Sequence, residues 1–349
     1  MRAVRWHGVG DVRLDEVEAP VLQEEPDAIL RVTTAAICGS DLHVLHGKIP
    51  KVPKGMIVGH EFAGVVDAVG PGVSAFRPGQ RVVSAMFAAC GRCDACLAGR
   101  HARCRQNRTF GYGDLFGGLD GGQAEYVRVP SADTTLWPVP DGVPDTDVLF
   151  TGDILATAYT GCVEARIEHG DVVAVLGAGP VGLLAVQCAQ LFAPAAVYAI
   201  DLVPGRLEQA RAFGAVPIDA SAGDPLMLLR ERTGGRRATV VIEAVGNAGA
   251  LETAWRITDA GGRIALVGVL TDEAFPQTAG QTWLRGLSVI PVNGQPIRYR
   301  ERLAALIGAG RLDPAAVITE KIPLEGAVDA YARLDRRETT KVVLEVSPT

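Results

Sequence analysis

The chain has 349 residues, of which 48% are hydrophobic, 21% charged and 5% aromatic, the composition of an ordinary globular protein; disorder, collagen and coiled coil are excluded. At roughly 150 residues per domain, this length predicts two domains, each able to bury a core without disulfide staples. Forty acidic residues against 34 basic ones give a net charge of -6, so no global field attracts phosphate backbones or anionic lipid, and neither nucleic acid nor a membrane is an expected partner.

Residues 1–10 carry no basic segment followed by an apolar run, so no signal peptide is expected and the cytoplasm, with reduced thiols, is the expected compartment. Up to about residue 150, short apolar runs such as 28–32, 64–69 and 81–84 alternate with Gly and Pro, which predicts a mostly-β domain with irregular lobes. Beyond it the rhythm changes. Predicted strands at 172–176, 197–200, 240–242 and 264–267 alternate with predicted helices at 181–192, 206–213 and 248–257, the pattern of a parallel α/β sheet. The stretch 172–200 has no charged residue and is long enough to span a bilayer. Gly177, Gly179, Pro180, Gly182 and Pro194 break it, however, so it reads as strand, turn, helix and strand. A helix at 299–307, a second near 324–334 and a last strand at 341–346 complete the chain.

Three constellations carry chemistry. Gly177-Ala178-Gly179-Pro180-Val181-Gly182 follows a buried strand and opens a helix, the context in which a GxGxxG turn cradles a dinucleotide pyrophosphate on backbone amides and a helix N-terminus. Asp201 ends the next predicted strand, where a carboxylate accepts hydrogen bonds from the adenosine ribose and repels a 2′-phosphate; NAD is therefore expected over NADP. Arg206 lies close enough to qualify that preference, and stacking beside the adenine is its expected role. Cys90, Cys93, Cys96 and Cys104, spaced C-x2-C-x2-C-x7-C, predict a closed four-thiolate zinc site with no open position, hence a structural one. The third constellation is dispersed: Cys38-Gly39-Ser40-Asp41-Leu42-His43, then Gly59-His60-Glu61, then Gly152-Asp153.

Taken together and in this order, CGSDLH, GHE followed by FAGVVDAVG, the four-cysteine lobe and GAGPVG resemble the zinc-dependent medium-chain dehydrogenases of the alcohol dehydrogenase superfamily, over essentially the whole chain. The resemblance implies an α/β protein with a GroES-like, mostly-β catalytic domain (1–152, with 292–349 returning to it) and a Rossmann domain with a doubly wound parallel sheet (153–291). It also implies two zinc ions per chain. The catalytic ion would be held by Cys38 and His60 with Asp153 as third ligand, where the best-known relatives have a cysteine; formaldehyde dehydrogenase-like relatives resemble the carboxylate arrangement. Cys162 is the rival third donor, though a small core residue is its expected role. Asp41 would orient His60, and Glu61 would stand behind the metal. The substrate proton would leave through Ser40, a nicotinamide ribose hydroxyl and His43. Thr157, Val245, Val267 and Gly268 would join the Gly turn in holding the cofactor.

The activity implied is NAD-linked, reversible oxidation of a primary or secondary alcohol, with a polyol-, threonine- or formaldehyde-dehydrogenase-like reaction as the alternative. A zinc-free quinone reductase of the same superfamily would not need Cys38, His60 and Asp153, and a zinc-binding nucleic-acid module is disfavoured by the sequence pI of 5.6. Met86, Phe87, Phe110, Tyr112 and Trp283 are candidates for substrate-pocket walls or equally for core packing. A homodimer or homotetramer is implied, paired through an edge strand at 286–291.

Overall fold

A computed structural model describes residues 1–270 and 277–347. The chain divides into two compact units, Met1–Ala156 together with Gln295–Thr349, and Thr157–Gly294.

The first unit is built on a seven-stranded sheet. Its spatial order is Glu320–Pro323, Val342–Glu345, Ala28–Ile37, Glu61–Val69, Arg81–Ser84 and Leu136–Pro138, with Tyr126–Val129 also pairing on Ala28–Ile37. Ala28–Ile37 is buried along nearly its whole length because it is flanked on both sides, and the alternation expected of a half-exposed strand is absent from it. Leu30, Val32 and Ile37 pack with Phe62, Phe110 and the C-terminal Leu344 in one apolar core, where each fully buried large aliphatic side chain contributes about 1.5–3 kcal/mol. Between residues 41 and 148 the described helices are only three to five residues long, as expected for a lobe-bearing β domain. The last strand closes the unit by pairing antiparallel with Ala28–Ile37, Val342 opposite Ile37.

The second unit is a six-stranded parallel sheet. Numbered along the chain, its strands lie in the order 3-2-1-4-5-6: Val216–Asp219, Ala196–Asp201, Val172–Leu176, Ala238–Glu243, Thr258–Leu266 and Ser288–Pro291. This is the doubly wound dinucleotide-binding topology, whose order reverses beside Val172–Leu176. All five residues of that strand are buried, which accounts for its uninterrupted apolar run. The uncharged stretch around it resolves into this strand, the helix Pro180–Gln190 and the strand Ala196–Asp201. Among the described residues no helix is long and apolar enough to cross a membrane. The two outermost strands, Val216–Asp219 and Ser288–Pro291, carry exposed or half-buried positions and a proline each, so neither shows the apolar signal of the central four.

Candidate active site and metal centres

Sheet register brings the dispersed residues together. Ala36 pairs with Glu61, so Cys38, just past the end of one strand, and His60, just before the start of the next, meet at the same sheet end. Asp153 follows the 3-10 turn Leu149–Gly152. A Cβ on Gly152 would collide with the Ser84 carbonyl, so only glycine allows this turn to pack directly on strand Arg81–Ser84, and the Gly152 carbonyl accepts a hydrogen bond from Met86 N at 2.9 Å.

The donor atoms of Cys38, His60 and Asp153 all lie within 4.8 Å of one another, and all three residues are buried. His60 Nε2 stands 3.1 Å from Asp153 Oδ2, and Cys38 Sγ 3.8 Å from the same oxygen. Metal–ligand bonds of about 2.0–2.3 Å at tetrahedral angles require ligand separations of roughly 3.3–3.7 Å, so the set fits a zinc ion. Charge points the same way. Asp41, Glu61 and Asp153 are carboxyl groups buried around a thiol, and Lys341 is the buried cation beside them. Glu61 Oε1 lacks a hydrogen-bond partner, and Asp41 Oδ1 faces His60 Nδ1 without the geometry of a hydrogen bond, a costly arrangement that a further cation would ease. Burial, and next the Glu61 charge, push the Cys38 thiol up, an effect that a bound divalent cation reverses. Burial disfavours a charged His60, but the Asp41 and Asp153 carboxylates outweigh it and hold the imidazole well above its ordinary range. Cys162, the rival donor, belongs to the second unit, where its Sγ donates to Ala185 O at 3.7 Å and burial pushes its thiol up to about 12.

Around these three, Asp41 Oδ1 lies 3.2 Å from His60 Nδ1, while Asp41 Oδ2 accepts from Cys38 N at 2.9 Å. Ser40 Oγ is 3.1 Å from His60 Nε2. His43 sits half-buried on the short helix Asp41–Leu45, and burial followed by the Lys48 and His46 charges lowers its pKa. Glu61 forms a buried ion pair with Lys341, whose ammonium also donates to Ile37 O at 3.2 Å and stands 5.0 Å from the centre of the Phe150 ring. Nothing in the sequence singled out Lys341. A lone lysine ahead of an apolar strand carries no local sign of its distant partner. Of the candidate pocket walls, Phe87 and Phe110 are buried, Tyr112 packs its ring edgewise to His60 with centroids 6.0 Å apart, and Trp283 is 82% exposed on the helix Ala279–Arg285.

Cys90, Cys93, Cys96 and Cys104 also converge. Their Sγ atoms approach at 3.5, 3.6 and 3.9 Å, near the roughly 3.8 Å edge of a tetrahedron with zinc–sulfur bonds of about 2.3 Å and far beyond a disulfide bond. Cys90 N and Gln106 N both donate to Cys104 Sγ at 3.3 Å. The backbone amides of Arg105 and Cys96 lower the Cys93 thiol to about 6, and the thiolate is the form that ligates.

In the second unit the Gly turn leaves strand Val172–Leu176 with Gly177 at φ +87° and enters the helix at Pro180. A Cβ on Gly182 would collide with the Gly177 carbonyl, whose carbon alone is 2.9 Å away; one on Gly179 would meet nothing within 4 Å. Gly182 therefore serves close packing, and Gly179 keeps a cradle open in front of the helix N-terminus, beside the Val181 and Gly182 amides. Asp201 Oδ2 accepts from Ala178 N at 2.6 Å and Oδ1 from Leu202 N and Val203 N at 2.7 and 2.9 Å, so this carboxylate also braces the turn. Arg206 Nη1 is 4.0 Å from it. Glu243, which sequence reasoning missed, organises the neighbouring loops. Its Oε1 accepts from Val245 N and Gly246 N at 2.7 and 2.9 Å, and its carbonyl accepts from Val267 N and Gly268 N at 2.8 and 2.9 Å. Val245 is exposed and Val267 buried at these loop starts, and Thr157 is half-buried on the helix Ile154–Glu164.

Residues 24–141 match the model of the alcohol dehydrogenase GroES-like domain, and residues 180–308 that of the zinc-binding dehydrogenase domain. An alcohol dehydrogenase of Cupriavidus necator is 36% identical over 342 residues, covering 91% of each chain. The crystal structure of alcohol dehydrogenase TADH from Thermus sp. ATN1 superimposes with a TM-score of 0.93 at 41% identity, covering 99% of this chain and 100% of that one. A zinc-binding dehydrogenase from Sinorhizobium meliloti 1021, solved bound to NADP, superimposes with a TM-score of 0.84 at 31% identity and 99% coverage of both chains. A GroES-like unit and a doubly wound dinucleotide-binding unit, with clustered metal donors in the first, define a zinc-dependent oxidoreductase. This chain belongs to the zinc-type alcohol dehydrogenases of the medium-chain dehydrogenase/reductase family, enzymes that work on small molecules with zinc and a nicotinamide cofactor.

Proposed function

We propose that the protein catalyses the NAD-linked, reversible oxidation of a small primary or secondary alcohol, with a catalytic zinc on Cys38, His60 and Asp153 and a structural zinc on Cys90, Cys93, Cys96 and Cys104. The observation that carries this reading is the convergence of one buried thiol, one buried imidazole and one buried carboxylate within 4.8 Å of one another. Three protein donors leave one tetrahedral position open, the arrangement of a catalytic site, whereas four cysteines leave none. Zinc bound there supplies Lewis acidity toward an alcohol oxygen, and NAD supplies a hydride acceptor.

The remaining work belongs to the chain. Ser40 Oγ, 3.1 Å from His60 Nε2, receives the substrate hydroxyl proton, because a hydroxyl both accepts and donates. His43, one helical turn on, is the acceptor beyond it; burial and the Lys48 charge keep its ring neutral near pH 7 and so able to take a proton. Asp41 Oδ1 faces the second nitrogen of the His60 ring at 3.2 Å, and Lys341 engages Glu61 behind the ligands. Asp201 favours NAD over NADP by charge repulsion of a 2′-phosphate, moderated by the Arg206 guanidinium 4.0 Å from it. A reducing, cytoplasmic setting suits thiolates that must stay reduced to hold metal. The edge strand Ser288–Pro291 offers a pairing surface for a homodimer or homotetramer; sedimentation showing a monomer would remove that part of the reading.

Two measurements test the proposal together: zinc content per chain, and formation of the reduced cofactor from NAD or NADP over a panel of alcohols, polyols and aldehydes. Two zinc ions with alcohol turnover on NAD are expected. A single structural zinc, or turnover of quinones alone, would overturn it, and turnover confined to polyols or formaldehyde adducts would replace the substrate class.

A further inference from the structure

We infer that Gln123 and Tyr331 are positioning residues of the catalytic metal centre, acting through Asp41 on both the Cys38 backbone and the His60 ring. The inference rests on the assignment of Cys38, His60 and Asp153 as ligands of a catalytic zinc.

The chain of contacts is continuous and buried. Tyr331 Oη donates to Gln123 Oε1 at 2.9 Å, and Gln123 Nε2 donates to Asp41 Oδ2 at 3.1 Å and to Ala36 O at 3.1 Å. The two carboxylate oxygens of Asp41 then divide their work: Oδ2 accepts from Cys38 N, and Oδ1 stands 3.2 Å from His60 Nδ1. Gln123 is 0% exposed, Asp41 and Tyr331 1%, so water cannot substitute for any of these partners. One carboxylate thus touches two residues of the ligand set, and its own orientation is set by the Gln123 amide.

The hydrogen inventory fixes that amide. Both Nε2 hydrogens of Gln123 are used, on Ala36 O and Asp41 Oδ2, and Oε1 is left to accept from Tyr331. Turning the amide over would aim Oε1 at a carbonyl and a carboxylate and leave the phenol facing an NH2 group. The Tyr331 hydroxyl therefore selects the working orientation. Gln123 itself is held by its backbone, with N donating to Val58 O at 3.1 Å and O accepting from Val4 N at 2.8 Å. Its side chain lies on Gly59, where a Cβ would fall 2.8 Å from Gln123 Cδ, so the residue before His60 has no side chain to displace it. Tyr331 belongs to the helix Ala327–Asp335 near the end of the chain, which ties that helix to a metal centre built by residues 38–153. Groups that orient metal ligands from behind commonly change metal retention by about 10–100-fold when removed.

The test is the rate at which holoenzyme releases its zinc to a colorimetric chelator, paired with the visible spectrum of the cobalt(II)-substituted enzyme. Asp153→Ala identifies which released ion is catalytic. Tyr331→Phe, which removes one oxygen from a buried site, is expected to speed release of that ion about tenfold and to shift the cobalt bands, with release from the four-cysteine site unchanged. In a Gln123→Met background the further change Tyr331→Phe is expected to have a smaller effect than in the wild type, since the phenol acts chiefly through the amide; merely structural damage would be additive. Wild-type release rates and cobalt bands in Tyr331→Phe, or additive effects in the double variant, overturn the inference while leaving the metal assignment standing. A wild-type enzyme with zinc only on the four cysteines overturns both.

Discussion

Two glycines of the same turn are expected to fail for opposite reasons when changed to alanine. At Gly179 an added Cβ meets nothing within 4 Å, and the residue sits at φ -71°, ψ -176°, which alanine adopts without strain. Stability should hold or rise by about 0.4–1 kcal/mol through the unfolded chain. The methyl group would, however, occupy the cradle proposed for the pyrophosphate. Loss of about two charge-assisted hydrogen bonds, at about 1.5–3 kcal/mol each, amounts to about 3–6 kcal/mol, or a roughly 10²–10⁴-fold weaker affinity for NADH. At Gly182 the Cβ would collide with the Gly177 carbonyl, whose carbon is 2.9 Å away where ordinary carbon contacts need about 3.5–4.0 Å. Overpacking against backbone costs about 3 kcal/mol, of which helix propensity returns about 1. The net of about 2 kcal/mol lowers Tm by roughly 4–8 °C. NADH fluorescence titration and thermal melting of both variants separate the two effects. Wild-type NADH affinity in Gly179→Ala would refute the cradle, and an unchanged melt of Gly182→Ala would refute the packing argument.

Asp153→Ala should cost one zinc per chain and reduce turnover in the same proportion, read by metal analysis beside activity; full activity without that ion would reject Asp153 as a ligand. Cys93→Ser should release the other zinc and lower Tm with the catalytic zinc still present, because the lobe loses its cross-link; two retained ions would contradict a four-thiolate site. Replacing Asp201 by glycine should narrow the preference for NAD over NADP by about tenfold and also weaken NADH, since the carboxylate braces Ala178 N at 2.6 Å. Unchanged discrimination would shift that role to Arg206. Alcohol oxidation should rise with pH through a His43 pKa lying below its ordinary value, because burial and then the Lys48 charge disfavour the cation and only the neutral ring accepts a proton. In His43→Gln that acidic limb should vanish and turnover should fall about 10²-fold; an unaltered pH profile would remove His43 from the proton path.

Local order along the chain decided a great deal. The buried strand, Gly turn and helix around residues 172–190 were legible because close packing and a positive φ at Gly177 are local demands met by local residues. The four cysteines were legible for a similar reason, since short loops suffice to bring all four together. Strands Val216–Asp219 and Ser288–Pro291 were harder to read as sheet members, because edge positions bury too little to impose an apolar pattern. Tertiary structure alone decided the rest of the site. Lys341 reaches Glu61, and Tyr331 reaches Gln123, across 280 and 208 residues of chain. Glu243 pins two loops that lie apart in the sequence. A buried charge or amide must find a partner, but the amino-acid order does not say which. That choice is made by sheet register, which sets Val342 opposite Ile37 and Ala36 opposite Glu61, and so gathers these groups around Cys38, His60 and Asp153.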